Sequence, residues 1–159
     1  MSLDLDKIRK ELEPLFNYSK TAQVCLQGTH DNLDPFLGCR KFNDITFQYA
    51  FSPYIETDFV KPIFNIPYLN SIMEDLKMFR TRIMTLKPGR CYHYHRDYTK
   101  RIHIPIETNK NCFIIDNMQV KHLSADGNYY IVDTTKMHTA LNGSKKENRT
   151  HIVGGINAT

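Results

Sequence analysis

RTRIMTLKPGRCYHYHRDYTKRIHIPIE (residues 80–107) shows no helical period. Its β-branched and aromatic residues fall in short runs, RTRIMTL, CYHYH and RIHIPIE, separated by turn residues of which Pro88-Gly89 come first. The texture continues to residue 156 through CFIID (112–116), MQVKHL (118–123), NYYIVD (128–133), HTALNG (138–143) and RTHIVGGI (149–156). Eight candidate strands thus crowd into residues 80–156. Short strands at this spacing predict an all-β barrel or sandwich.

Upstream, the pattern differs. Leu5, Ile8 and Leu12 lie on one helical face within residues 3–16. Prolines at 14, 35, 53, 62 and 67 punctuate a middle section with two plausible strands, AQVCLQ (22–27) and DITFQYA (44–50). Residues 69–79 predict a second helix, with Asn70 as its cap and Ile72, Leu76 and Phe79 near one face. The expected organisation is one domain, residues 1–159, in which a helical and mixed segment (1–79) supports an all-β core (80–156).

Composition excludes several classes. Nine Tyr, nine Phe and no long block of like charge predict a folded globular chain. The net charge of +4 is spread thinly, so no nucleic-acid partner is expected. MSLDLDKIRKELE has no apolar h-region, and no run approaches the ~18 apolar residues of a membrane span. Cysteines at 25, 39, 91 and 112 form no zinc-like spacing and suggest no disulfide framework. A cytoplasmic protein, with no membrane partner, is the expectation.

Three of the seven histidines sit in the quoted stretch, at 93, 95 and 103. Strand alternation puts His93, His95 and Asp97 on one face. His95 and Asp97 can converge on one ion if a third ligand arrives from elsewhere. Two imidazoles with one carboxylate and no thiolate leave three coordination positions open, which suits non-haem Fe(II) oxygen chemistry over structural zinc. A His-x-Asp string alone is weak; a histidine on a strand is more often a hydrogen-bonded structural group. The candidate partner is His138, which opens a strand after a polar turn. Arg149, eleven residues on, can reach the same cavity, where its guanidinium fork suits a carboxylate.

LKPGRCYHYHRD, RIHIP and GNYYIVDTTKMHTALNGSKKENRTHIV resemble, in order and spacing, the aspartyl/asparaginyl β-hydroxylase family of 2-oxoglutarate- and Fe(II)-dependent oxygenases. The most specific parts are Pro-Gly before the first ligand, Arg-x-His-x-Pro after it, and Asp-(x)4-His-(x)3-Asn-(x)6-Arg at the end. The resemblance implies a double-stranded β-helix, or cupin-type jelly roll. It implies that His95, Asp97 and His138 bind Fe(II) and that Arg149 pairs with the distal carboxylate of 2-oxoglutarate. Arg101 and His103 match an Arg/His pair placed around co-substrate and substrate carboxylates. A serine that helps hold 2-oxoglutarate in some relatives is replaced by Met84, and Thr85 should face the other way. His93 is expected as a neighbour of the site more than as a ligand, and Asp133 as a turn cap.

The implied activity is hydroxylation of an amino-acid side chain, of the Asp/Asn type, in a protein or peptide, with O2 as oxidant. Two alternatives stand beside it. One is hydroxylation of a free amino acid such as proline, and the other is a cupin-like binding or sensing protein without catalysis. Four residues retained at matching positions weigh against the last.

Overall fold

The computed structural model describes residues 2–18, 22–40, 42–43 and 48–157. Helix α1 (Leu5–Leu12) starts at Asp4, whose carboxylate accepts from the Lys7 amide, and it buries Ile8 and Leu12. Strands β1 (Gln23–Cys25) and β2 (Gln27–Gly28) replace the single expected strand at 22–27. Two-residue strands β3 (Phe42–Asn43), β4 (Gln48–Tyr49) and β5 (Lys61–Pro62) follow. Most of the strand expected at 44–50 lies outside the described residues.

Helix α2 (Pro67–Asp75) begins earlier than expected, with proline in its first turn. Asn70 does not cap it; its side chain donates to the Phe64 carbonyl. The free amides of Tyr68 and Leu69 instead donate to the Glu11 carboxylate, at 2.9 and 3.0 Å. One helix therefore caps the other. Residues 76–79 leave the helix, and Phe79 opens the first barrel strand.

Eight C-terminal strands follow, with CYHYH reduced to its first residue: β6 (Phe79–Leu86), β7 (Arg90–Cys91), β8 (Lys100–Glu107), β9 (Cys112–Asp116), β10 (Gln119–Lys121), β11 (Tyr130–Val132), β12 (His138–Asn142) and β13 (Arg149–Ile156). They make two antiparallel sheets, ordered β1-β6-β13-β8-β11 and β10-β9-β12-β7. The chain steps back and forth between the two sheets, which makes this a double-stranded β-helix. The first step is a tight turn, with Arg90 N–H donating to the Lys87 carbonyl. Pro88 sets its first central residue, and Gly89 takes the positive φ (68°) that its second requires.

Alternation along the central strands divides the sheet. On β8, Ile102, Ile104 and Ile106 pack outward with Ile83 of β6 and Ile152 of β13. Their partners are Ile8, Leu12, Leu69, Ile72 and Met73 from the two helices, so the main core lies outside the barrel. A smaller apolar group, including Leu86, Ile114, Val132 and Ala140, fills one end of the interior. The other end is polar. Among the described residues, no helix is long and apolar enough to cross a membrane.

Candidate active site

The polar end holds a cavity of ≈ 190 Å³, lined by the inward residues of β6, β8 and β13 and by the segment that leaves β7. That segment is not the continuous strand expected from CYHYH. Strand β7 ends at Cys91; the Tyr92 amide still donates to the Ala140 carbonyl at 2.9 Å, and His95 forms an isolated bridge, exchanging backbone hydrogen bonds with His138 at 3.0 and 2.7 Å. Asp97 is then pinned by its amide to the Thr134 carbonyl at 2.7 Å. Convergence of the two residues thus comes from a bridge across to β12 and not from simple alternation.

The three side chains meet. Ligand atoms of His95, Asp97 and His138 all lie within 4.8 Å of one another. The two imidazole centroids are 4.4 Å apart, and His138 Nε2 is 4.0 Å from Asp97 Oδ2. His95 Nδ1 bonds the His93 carbonyl at 2.7 Å, and His138 Nδ1 bonds the Lys136 carbonyl at 3.0 Å. A carbonyl only accepts, so each Nδ1 carries a proton, and Nε2 is the nitrogen left to ligate a metal. Burial also pushes the His138 pKa down, so the ring is neutral at neutral pH. Two imidazoles and a carboxylate without thiolate are a donor set that fits Fe(II). His93 lies beside them, 5.2 Å from the His95 ring, and contributes its carbonyl.

Asp97 is held by a buried chain of alternating charge. Arg101 Nε donates to Asp97 Oδ2 at 3.0 Å, and Arg101 Nη2 donates to Glu56 Oε1 at 2.6 Å. Arg80 Nη1 also donates to Glu56, whose second oxygen accepts from Thr99. Burial raises the Asp97 carboxyl, but the charge and hydrogen bond of Arg101 outweigh it and hold the carboxyl below its usual range. Glu56 shows the same balance, with Arg101 and Arg80 overcoming burial. The remaining Arg101 nitrogen, Nη1, sits against Gly155, where any Cβ would lie 2.7 Å from it. Sequence reasoning missed Glu56, which lies 41 residues before Asp97 in a stretch without motif.

Arg149 is 2% exposed, and among the described residues no carboxylate pairs with it. Its Nη2 donates to His151 Nδ1 at 3.1 Å, and His103 Nδ1 lies 3.4 Å from the same atom. Burial first, then the Arg149 charge, push the His103 and His151 pKa values far down, so both rings are neutral. Burial also pushes Arg149 down to about 10, which leaves it charged at neutral pH. Arg101, His103 and Arg149 all line the cavity with the metal trio. Met84 lines it too; Thr85 turns away, its hydroxyl 3.2 Å from that of Thr150. Asp133 accepts from Thr135 in the turn before His138. Asn142, between the last two motif residues, bonds the Leu86 and Glu147 carbonyls and so fixes the loop that delivers Arg149.

A family model described as aspartyl/asparaginyl beta-hydroxylase matches residues 39–156. The match reaches well upstream of Arg80 and takes in Glu56. No curated protein matches the chain. Among solved structures, the chain is similar to a cupin domain from Bordetella pertussis Tohama I, at 17% identity and TM-score 0.42, over 50% of this chain and 81% of that one. It is also similar to a predicted oxalate decarboxylase from Thermotoga maritima, at 17% identity and TM-score 0.42, over 55% and 73% of the two chains. A cupin domain of an XRE family transcriptional regulator from Enterobacter cloacae gives 16% identity and TM-score 0.42, over 54% and 87%.

Proposed function

Because the chain belongs to the aspartyl/asparaginyl beta-hydroxylase family, we propose that it is a 2-oxoglutarate- and Fe(II)-dependent dioxygenase that hydroxylates an amino-acid side chain in a protein or peptide. The observation that carries this reading is one cavity holding both a His/Asp/His trio and a buried arginine without a counter-charge. A guanidinium kept from water costs several kcal/mol unless an anion meets it. Arg149 is therefore assigned to the distal carboxylate of 2-oxoglutarate.

His95, Asp97 and His138 would hold the iron. Iron, when bound, supplies the oxidative step: one O2 and one 2-oxoglutarate give succinate, CO2 and one hydroxylated C–H position. The chain's own residues prepare for it. The His93 and Lys136 carbonyls fix both imidazole tautomers. Arg101, steadied by Glu56, keeps Asp97 ionised and aimed. His103, neutral and buried beside His151 and Arg149, offers hydrogen-bonding capacity to the bound acid without adding charge. The apolar residues Ile114, Val132 and Ala140 close one side of the cavity and limit water there.

The test is succinate formation from 2-oxoglutarate with Fe(II) and O2. Slow uncoupled succinate is expected even without substrate, and His138→Ala should reduce it to background. Absence of succinate under every condition would overturn the reading in favour of a binding protein. Full activity in His138→Ala would overturn the trio.

A further inference from the structure

The cavity holds a second buried guanidinium without a counter-charge, and one co-substrate does not account for both. Arg82 is 8% exposed and lines the cavity. Its Nη1 donates to the Gln23 amide oxygen at 3.0 Å, a neutral acceptor. Its Nε is buried with no partner. The nearby carboxylates are taken: Glu56 by Arg80 and Arg101, Asp97 by Arg101. Among the described residues, no acid pairs with Arg82.

Position separates this arginine from Arg149. Arg82 lies opposite Val153, which in turn lies opposite His103, whereas Arg149 lies opposite Leu86. Four residues of strand, roughly 13 Å, part these two registers on β6. A five-carbon diacid spans only about 5 Å between its carboxyl carbons. Tyr92 lines the same cavity as both arginines, and its hydroxyl is buried and unpartnered. Arg82 and Asp97 line the same cavity.

We propose that Arg82, backed by Gln23 in the cavity that Tyr92 also lines, forms a second anion subsite that takes a carboxylate of the substrate. The inference rests on the assignment of Arg149 to 2-oxoglutarate. The fork of Arg82 gives a carboxylate two donors. A carboxylate held there lies in the same cavity as His95, Asp97 and His138. The acid has two sources, the side chain of an aspartyl residue in a peptide or the α-carboxylate of a free amino acid.

The experiment is anaerobic titration calorimetry on the Fe(II) protein saturated with 2-oxoglutarate. The probes are an acetylated, amidated peptide with one aspartyl residue, its asparaginyl counterpart, free L-proline and L-prolinamide. One acidic probe is expected to bind about tenfold or more tighter than its neutral counterpart, and which pair shows this identifies the source. Arg82→Gln should erase that preference, and Arg82→Lys should restore part of it. The 2-oxoglutarate affinity of both variants should stay within about twofold of native, which also reports that they fold. Equal binding of acidic and neutral probes to the native protein would overturn the subsite. So would a loss of 2-oxoglutarate affinity in Arg82→Gln as large as in Arg149→Ala. Failure of the functional reading looks different: the native protein would then not bind 2-oxoglutarate at all.

Discussion

The two faces of the five-stranded sheet have opposite chemistry on the same strands. Outward, Ile83, Ile102, Ile104, Ile106 and Ile152 pack on the helices. At about 1.5–3 kcal/mol per buried side chain, these five residues alone contribute on the order of a domain's whole net stability. Inward, Arg80, Arg82, Arg101, His103, Arg149 and His151 are buried as deeply, and each is a desolvated polar group that lowers stability unless it is satisfied. Alternation with period two lets one strand do both, so that RIHIPIE opens polar, core, polar, core. Stability and chemistry are divided by residue parity and not by region.

Glu56 is where the division is least clean, since it serves the inner face yet holds two buried arginines. Glu56→Gln leaves Arg80 and Arg101 facing one another with only Asp97 to compensate. Loss of one partner from a buried ion network costs about 3–5 kcal/mol. The expected outcome is a urea midpoint shifted far down together with weaker Fe(II) binding, because Asp97 loses its steadied arginine. A stable Glu56→Gln protein with native metal affinity would show that Arg101 needs no second carboxylate. Next in size is Ile104→Ala, on the outer face with 0% exposure. It should cost about 2–5 kcal/mol of unfolding free energy. In the fraction that remains folded, the 2-oxoglutarate requirement should not change; a shifted requirement would mean that the two faces are coupled.

These parities were legible in the sequence where the pattern was local. Seven of the eight expected barrel strands were, all but CYHYH, because turn residues separate them. So was the grouping of His95, Asp97, His138 and Arg149, through spacing and resemblance. What was not legible depends on partners far along the chain. The bridge that breaks CYHYH is made to His138, 43 residues beyond His95, and the string reads the same paired or unpaired. The cap of α2 comes from Glu11 and not from the nearby Asn70, which looks like a cap and is not one. Glu56 and Arg82 carry no local signature at all; only the folded cavity shows one acid shared by two arginines and one arginine left without an acid.

Arg149→Ala should separate from both variants above. It removes an uncompensated buried charge, so stability should hold or rise slightly. A charge-assisted hydrogen bond is worth about 1.5–3 kcal/mol, which corresponds to a roughly 10- to 150-fold higher 2-oxoglutarate requirement. Steady-state kinetics checks this. An unchanged requirement would mean that another residue holds the carboxylate, and the two unpaired arginines would have to exchange roles.

The smallest effect is a slope against pH. His103 and His151 are buried as neutral rings, with pKa values well below the ordinary one, and Arg149, Arg101 and His138 face His103 to keep it so. The unfolded chain protonates both rings as pH falls through about 6.5, while the folded chain does not. The unfolded state then binds more protons, so stability is full above that pH and falls below it. Each histidine contributes about 1.4 kcal/mol per pH unit in that window, down to its folded pKa. Asp97 and Glu56 act in the same direction at lower pH: their carboxyls are depressed, and their contribution is lost only below about pH 4. Denaturant midpoints at pH 7.5, 6.5 and 5.5 should therefore be level over the upper interval and drop over the lower one. His151→Gln, which removes one titrating ring of the inner face, should make the lower slope shallower; a flat profile in the native protein would mean that the inner face takes up protons without unfolding.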